Sequence, residues 1–373
     1  LRYGGAGGSG TDTSTILVAE QLAAAGHAVT IVSDKFEPEL AAKLAQAGKE
    51  FDSGRYVNGV QYCDADFSGI AHDEYDILVS SLWYQDYDKL PVKITKALIY
   101  WCHMQWIYGI DEMLLFCRQN NLKLGFVHIS DWERSMNQGV VTTALNQYGC
   151  QTVQIPNPVP DDVLRQVLAE NIERKTHKFI FHASWPRGGD VALDVVRKLP
   201  YEDKELHAFD YLMTIPRHED AFFNIHDGVD KVTLFRELAS SEYFIYPLYT
   251  PYQDVHKDTF SCVVAEAIAL GCTPVTYPLG ALPENFDGYC HWADFPPDVD
   301  PGAMQAEPLS KDIPGVFKSE DAVQNLINAV THLEANPAIK NKIKTSGAQF
   351  ILNKLNLATV GQSWLTFIKE LVG

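Results

Sequence analysis

Long apolar runs, paired cysteines and a surplus of positive charge are all missing from this 373-residue chain. No stretch of about eighteen apolar residues occurs, so no membrane-spanning helix is expected. No charged segment leads into a short apolar one, so no signal peptide is visible. The seven cysteines (63, 102, 117, 150, 262, 272 and 290) are scattered, mostly within apolar runs, without any CxxC spacing. That distribution predicts buried, reduced thiols in a cytoplasmic protein rather than disulfides or a zinc site. Lys and Arg total 30 against 48 Asp and Glu, a formal net charge of -18. A balance of that sign argues against nucleic-acid binding through phosphates and against docking on anionic lipid.

What remains is ordinary globular composition, 46% hydrophobic and 21% charged. The length predicts two domains rather than one. Only Leu1–Tyr3 precede Gly4-Gly-Ala-Gly-Gly-Ser-Gly10, too few for a full strand, so either a few more residues are expected upstream in the native protein or the first strand is shortened. A helix is expected over Thr13–Ala25, and strands over Ala28–Val32, Ile77–Ser80, Ala97–Trp101, Gly125–Ile129 and Thr152–Ile155. Ile155-Pro-Asn-Pro-Val-Pro160 breaks the alternation and marks a domain linker. A second series follows, with strands at Phe179–His182, Leu206–Phe209, Tyr243–Pro247 and Thr273–Tyr277. Helices are expected at Asp190–Lys198, Leu234–Ser240, Phe260–Leu270 and Thr359–Leu371. The reading is an α/β protein of two Rossmann-like domains, 1–157 and 158–357, facing across a cleft at the carboxyl edges of their parallel sheets.

The most informative stretch runs from Asp258 to Val275. Asp258 stands at a turn, and Glu266 follows eight residues later inside an apolar helix that Gly271 ends. Eight residues is a little over two helical turns, so both carboxylates are expected on one side. The N–H groups of Thr259, Phe260, Ser261 and Cys262 are read as the orphan donors of the helix start. Acids beside such donors suit a ligand with both hydroxyls and phosphates, as in a nucleotide-sugar. Asp258 also fits a plain N-cap role. Glu266, within Val263-Val-Ala-Glu-Ala-Ile, needs a partner.

Three further features bear on chemistry. Gly5-x-Gly7-x-x-Gly10, which includes Gly8, can bring backbone N–H groups up to a phosphate. It formally matches the dinucleotide fingerprint with Asp34 as the ribose acid, but its 24-residue spacing exceeds the ~20 expected. Arg187, in Ser184-Trp-Pro-Arg187-Gly-Gly189, follows a buried strand and suits a bidentate grip on a diphosphate. His103 follows the strand Ala97–Trp101, near an aromatic concentration of Trp83, Tyr84, Tyr87, Trp106 and Tyr108 on which a sugar ring could stack. Each has an ordinary alternative as a surface or packing residue.

Together these pieces resemble the retaining glycosyltransferases of the GT-B fold, in particular family 4. The likeness covers most of the chain: the N-terminal glycines, Ala24-Ala-Gly-His27-Ala-Val-Thr-Ile, Ile155-Pro-Asn157-Pro, the Ser184–Gly188 turn and Phe235–Pro247. Its most specific element is Asp258…Glu266, which matches the family's E-x7-E motif. The resemblance implies transfer of a sugar from a nucleotide diphosphate sugar, such as a UDP- or GDP-sugar, to an acceptor hydroxyl on a saccharide, glycan or small molecule. It further implies retention of configuration, with no catalytic metal and no separate cofactor. Glu266 is implied to bind the ribose, Asp258 the donor sugar, and the amides between them the phosphates or sugar hydroxyls. Arg187 and Gly5, Gly7 and Gly8 fall to the diphosphate, His103 to the transferred sugar. The closing helix, 358–373, is expected to pack back on the first domain. The chain departs from the pattern in having Asp258 for the first Glu and one basic residue, Arg187, where two are usual; Lys257 is a candidate replacement. A nucleotide-sugar 2-epimerase of the same fold, an NAD- or FAD-dependent oxidoreductase using the glycine loop, and a silent sugar-binding protein remain alternatives.

Overall fold

The computed structural model describes residues 10–33, 55–64, 66–81, 87–107, 109–210, 215–248, 257–295 and 319–373. They fall into two compact units. One comprises Thr11–Pro158 with Leu357–Gly373; the other comprises Gly10 and Val159–Asn356.

The first unit opens with helix α1 (Gly10–Ala24) and strand β1 (Val29–Ser33). A hairpin of β2 (Arg55–Val57) and β3 (Val60–Asp64) follows. β1 pairs parallel with β3, and β2 pairs antiparallel with β3. The hairpin turns on Asn58-Gly59, both with positive φ (50° and 80°), the backbone that a two-residue turn between twisted strands demands. The sequence reading of a purely parallel arrangement did not include this hairpin. A second sheet orders β4 (Glu74–Ser81), β5 (Lys93–Cys102), β6 (Lys123–His128) and β7 (Cys150–Gln154), all parallel. Helices α2 (Ile110–Asn120), α3 (Asp131–Met136) and α4 (Gln138–Tyr148) connect them.

The last helix, α12 (Leu357–Val372), belongs to this unit and lies against β5 and β6. Trp364 meets Trp101 edge-on at 4.7 Å between ring centroids. Gly125 of β6 permits this approach, since a Cβ there would stand 2.8 Å from Phe367 Cζ.

The second unit is built on one parallel sheet of six strands in the order β10-β9-β8-β11-β12-β13. These are β8 (Lys175–His182), β9 (Glu205–Asp210), β10 (Phe223–Asp227), β11 (Ser241–Tyr246), β12 (Thr273–Thr276) and β13 (His291–Trp292). Helices α5 (Asp161–Ala169), α6 (Gly189–Lys198), α7 (Lys231–Ser240), α8 (Cys262–Ala269), α9 (Leu282–Phe286), α10 (Ser319–Ala335) and α11 (Ala338–Leu355) belong to the same unit. The apolar runs of β8, β11 and β12 are almost wholly buried, as expected of strands with both faces covered. From β8 the chain winds outward through β9 and β10, then returns to the other side of β8 with β11. The strand order therefore reverses between β8 and β11, and ligands of open α/β sheets bind beyond the carboxyl ends of the strands at such a switch point.

Candidate functional site

At the carboxyl end of β8, His182 leads into a single tight turn, Trp185–Arg187. Gly188 closes the turn with φ 111°. Trp185 packs across the start of α6 so closely that a Cβ on Gly189 would come within 2.3 Å of its ring, and its Nε1 donates to Asp190 Oδ1 at 3.1 Å. This packing fixes Arg187 at the mouth of α6.

At the carboxyl end of β11, on the far side of the switch point, stands Tyr246. Its side chain is buried, and its Oη donates to Asp258 Oδ2 at 2.8 Å. The same oxygen accepts from the Arg187 guanidinium. Burial first, then the Asp258 charge, pushes the phenol well above its ordinary value while Arg187 pulls it back, so Tyr246 keeps its proton. Arg187 and Asp258, 71 positions apart in sequence, thus share one hydroxyl.

The backbone at Asp258 is held from behind. Ala281 N–H donates to the Asp258 carbonyl at 2.8 Å, and a Cβ at Gly280 (φ 61°) would lie 2.3 Å from that oxygen. α8 opens only at Cys262, and Ser261 holds the N-cap position with φ 70° and no side-chain cap bond. This corrects the N-cap reading. Asp258 stands at a turn outside the helix, as expected, but does not cap it, because three residues, Thr259–Ser261, intervene before the first helical residue. Of Thr259, Phe260, Ser261 and Cys262, only Cys262 is helical. Phe260 is core, its ring edge-on to Phe286, and the Cys262 thiol faces the Gly10 carbonyl at 3.9 Å. Lys257 is buried, and burial lowers its pKa.

Glu266 lies in the second turn of α8 with 1% of its surface exposed. Lys231, the first residue of α7, brings its Nζ to 2.7 Å from Glu266 Oε1. Beyond this ion pair neither buried carboxylate oxygen has a hydrogen-bond partner among the described residues, so both keep lone pairs available. Burial raises the Glu266 pKa and Lys231 holds it back. Lys231 also bears on His182, whose imidazole burial first, then the Lys231 charge, lower to about 3. Arg174, just before β8, donates to Ala239 O at 3.3 Å, Leu270 O at 2.8 Å and Gly271 O. One guanidinium thus clamps the carboxyl ends of α7 and α8, the helices that bring Lys231 to Glu266.

The sequence reading missed Lys231, Tyr246 and His182. Lys231 was passed over because the expected helix began at Leu234, although Asp230 is an N-cap signal whose side chain accepts from Thr233 N–H at 2.8 Å. Tyr246 ends the run Tyr243-Phe-Ile-Tyr246, where nothing in the sequence separates it from packing aromatics.

His103 belongs to the other unit. It follows β5, is buried, and lies tilted against Trp101 at 4.5 Å between ring centroids. Burial lowers its pKa to about 3, so the ring is neutral across the working range. Of the aromatic concentration, Tyr87 is core, stacked on Phe116, and Trp106 is exposed at 38%. Trp83, Tyr84, Tyr108, Asp34, Gly5, Gly7 and Gly8 lie outside the described residues.

Among the described residues one group has metal-ligand character: Cys102, His128 and Glu133, with ligand atoms within 4.8 Å of one another. The Glu133 carboxylate is already met by His128 Nδ1 at 2.9 Å, Asn137 Nδ2 at 2.6 Å, the Cys102 thiol and the Ile129 N–H. With that many donors the Glu133 carboxylate is satisfied within the first unit's core, while His128 Nε2 is buried without a partner among the described residues. All seven cysteines are free and buried. No described helix is long and apolar enough to cross a membrane.

No family model and no curated protein matches the sequence. Solved structures do match the fold. A sucrose-phosphate synthase from Thermosynechococcus elongatus superposes with TM-score 0.62 at 12% identity, over 98% of this chain and 94% of its own. Anabaena HepE in complex with UDP and glucose gives 0.56 at 13%, over 100% and 98%. AviGT4, a glycosyltransferase involved in avilamycin A biosynthesis, gives 0.56 at 14%, over 99% and 91%. The chain has the GT-B fold. Within that fold, Arg187 follows β8 and Tyr246 ends β11, at the carboxyl edge where ligands of open α/β sheets bind.

Proposed function

We propose that this protein is a glycosyltransferase that moves a sugar from a nucleotide diphosphate sugar to an acceptor hydroxyl, with retention and without a catalytic metal. The observation that carries the reading is the joining of Arg187 to Asp258 through Tyr246 at the β8/β11 switch point, with Glu266 buried in the helix that follows Asp258. Glu266 accepts from the ribose hydroxyls; charge-assisted bonds of that kind are worth about 1.5–3 kcal/mol each. Arg187, aided by Lys257 and the backbone N–H groups of Thr259, Phe260, Ser261 and Cys262, neutralises the departing diphosphate. Asp258 takes a hydroxyl of the donor sugar. Stabilising the leaving group this way lets the anomeric carbon gain positive character as the acceptor approaches. Gly5, Gly7 and Gly8 are assigned to the phosphates and His103 to the transferred sugar, as the family resemblance implies. UDP-sugars are the first donors to try, because the similar HepE structure holds UDP and glucose. The units Thr11–Pro158 and Val159–Asn356 are assigned to acceptor and donor respectively. A cytoplasmic setting agrees with seven unpaired thiols.

The test is incubation with UDP-, GDP- and ADP-sugars, with and without a panel of saccharide acceptors, followed by NMR of the products. The reading predicts nucleoside diphosphate release that depends on acceptor and a product that keeps the donor's anomeric configuration. Conversion of donor alone into an isomeric sugar would establish the epimerase instead. Binding of nucleotide-sugar with no turnover on any acceptor would leave a sugar-binding protein.

A further inference from the structure

Burying a phenol hydroxyl is costly unless it is bonded, and Tyr246 is buried at the end of its strand, after Phe244 and Ile245. Its single proton goes to Asp258 Oδ2 at 2.8 Å, which leaves the oxygen lone pairs to accept from Arg187. The hydroxyl therefore bridges two groups of opposite charge from separate crossings of the sheet, one after β8 and one after β11. With the strand rigid and the ring enclosed, the bridge sets the plane of the Asp258 carboxylate and the direction of the Arg187 guanidinium at once. It also occupies Oδ2, so Asp258 presents Oδ1 to an incoming hydroxyl.

We infer that Tyr246 is a positioning residue of the donor site, holding Asp258 against the transferred sugar and Arg187 against the diphosphate in one fixed arrangement. This rests on the glycosyltransferase reading above. Tyr246 touches neither sugar nor phosphate. Its contribution is that both charged groups are already aimed when the donor arrives, so the bound geometry is reached without reorganisation at the moment of transfer. Glu266, in the second turn of α8, is held by Lys231 instead and does not depend on the phenol.

The separation of those two supports defines the test. Tyr246→Phe removes one oxygen and keeps the ring that fills the core. Tyr243→Phe, on the same strand, is the matched control: its hydroxyl bonds Glu334 and Lys340, on the α10–α11 side of the unit. For Tyr246→Phe, kcat with a UDP-sugar is expected to fall about 10- to 100-fold, the scale of a lost hydrogen bond to charged groups. Affinity for uridine monophosphate, measured by calorimetry, is expected to stay within about twofold, because that ligand reports the Glu266 end of the site. Tyr243→Phe should leave kcat unchanged. An unchanged kcat in Tyr246→Phe, or an equal loss in Tyr243→Phe, overturns the inference while wild-type turnover upholds the underlying reading. If the wild type neither binds nor turns over any nucleotide-sugar, the underlying reading fails, and the inference with it.

Discussion

Lys231 Nζ lies 2.7 Å from Glu266 Oε1, tying the first residue of α7 to the second turn of α8, with the two side chains 14% and 1% exposed. Removing one partner of a buried pair costs about 3–5 kcal/mol, because the other charge is left uncompensated. Lys231→Met should therefore destabilise the protein by about 3 kcal/mol, and Lys231→Met/Glu266→Gln by less than the two single changes added together. Urea unfolding of the four proteins measures both. Loss of Lys231 also removes what restrains the raised Glu266 pKa, so nucleotide affinity in Lys231→Met should weaken as pH falls, more steeply than in the wild type.

Glu237 predicts an acid limb of stability. A hydrogen bond from His207 first, then Lys178 at 2.5 Å, hold its pKa down to about 2 from an ordinary 4.5. A depressed carboxylate stabilises the fold above its unfolded pKa and loses that contribution as pH falls toward the folded one. The stabilisation is thus complete above about pH 5 and lost between about 4.5 and 2, with an upper bound of about 3 kcal/mol. Urea midpoints at several pH values should show this slope in the wild type and a flatter one in Glu237→Gln.

His103 and His182 act in the same direction. Both imidazoles are lowered to about 3 by burial, so the unfolded chain binds protons that the folded one refuses between about pH 6.5 and 3. Stability should fall as pH drops through that window. Activity should show no limb near 6.5 from either residue, and a pH–rate profile of His103→Gln should keep the wild-type shape at reduced height. A wild-type limb near 6.5 that disappears in His103→Gln would contradict the neutral-imidazole assignment.

Gly280 is the hinge on which Asp258 is hung. Gly280→Ala forces a Cβ to 2.3 Å from the Asp258 carbonyl at a φ of 61°, so the Asp258 backbone must move. Turnover should drop by about 10-fold or more, since small displacements of positioned groups carry that scale of cost. Gly288→Ala, whose Cβ would meet only the flexible end of Lys342, should have a much smaller effect on kcat.

The α/β class and most strands were legible because apolar runs of four to eight residues between turn signals leave few alternatives. The β2–β3 hairpin was missed although Asn58-Gly59 announces it, because its strands are short and polar at their ends. Glu266 stood out from sequence because a carboxylate in an apolar helix demands a partner. The partner itself, Lys231, was hidden 35 positions away on a different helix. Tyr246 was hidden for the opposite reason: a tyrosine in a buried strand looks like core until the structure sets Asp258 and Arg187 against its hydroxyl. The helix start was misplaced locally: Phe260 was expected to open it, whereas Cys262 does, after a left-handed Ser261.

The central claim is that Glu266 and Arg187 belong to one nucleotide-sugar site. Thermal shift with UDP, GDP, ADP and their sugars, run on the wild type, Glu266→Ala and Arg187→Ala, tests it most directly. The Tm of the wild type is expected to rise with at least one nucleotide and its sugar. The rise is expected to be lost in Glu266→Ala for every ligand and reduced in Arg187→Ala for the diphosphates. A wild type whose Tm no nucleotide moves, or mutants that respond as it does, would contradict it.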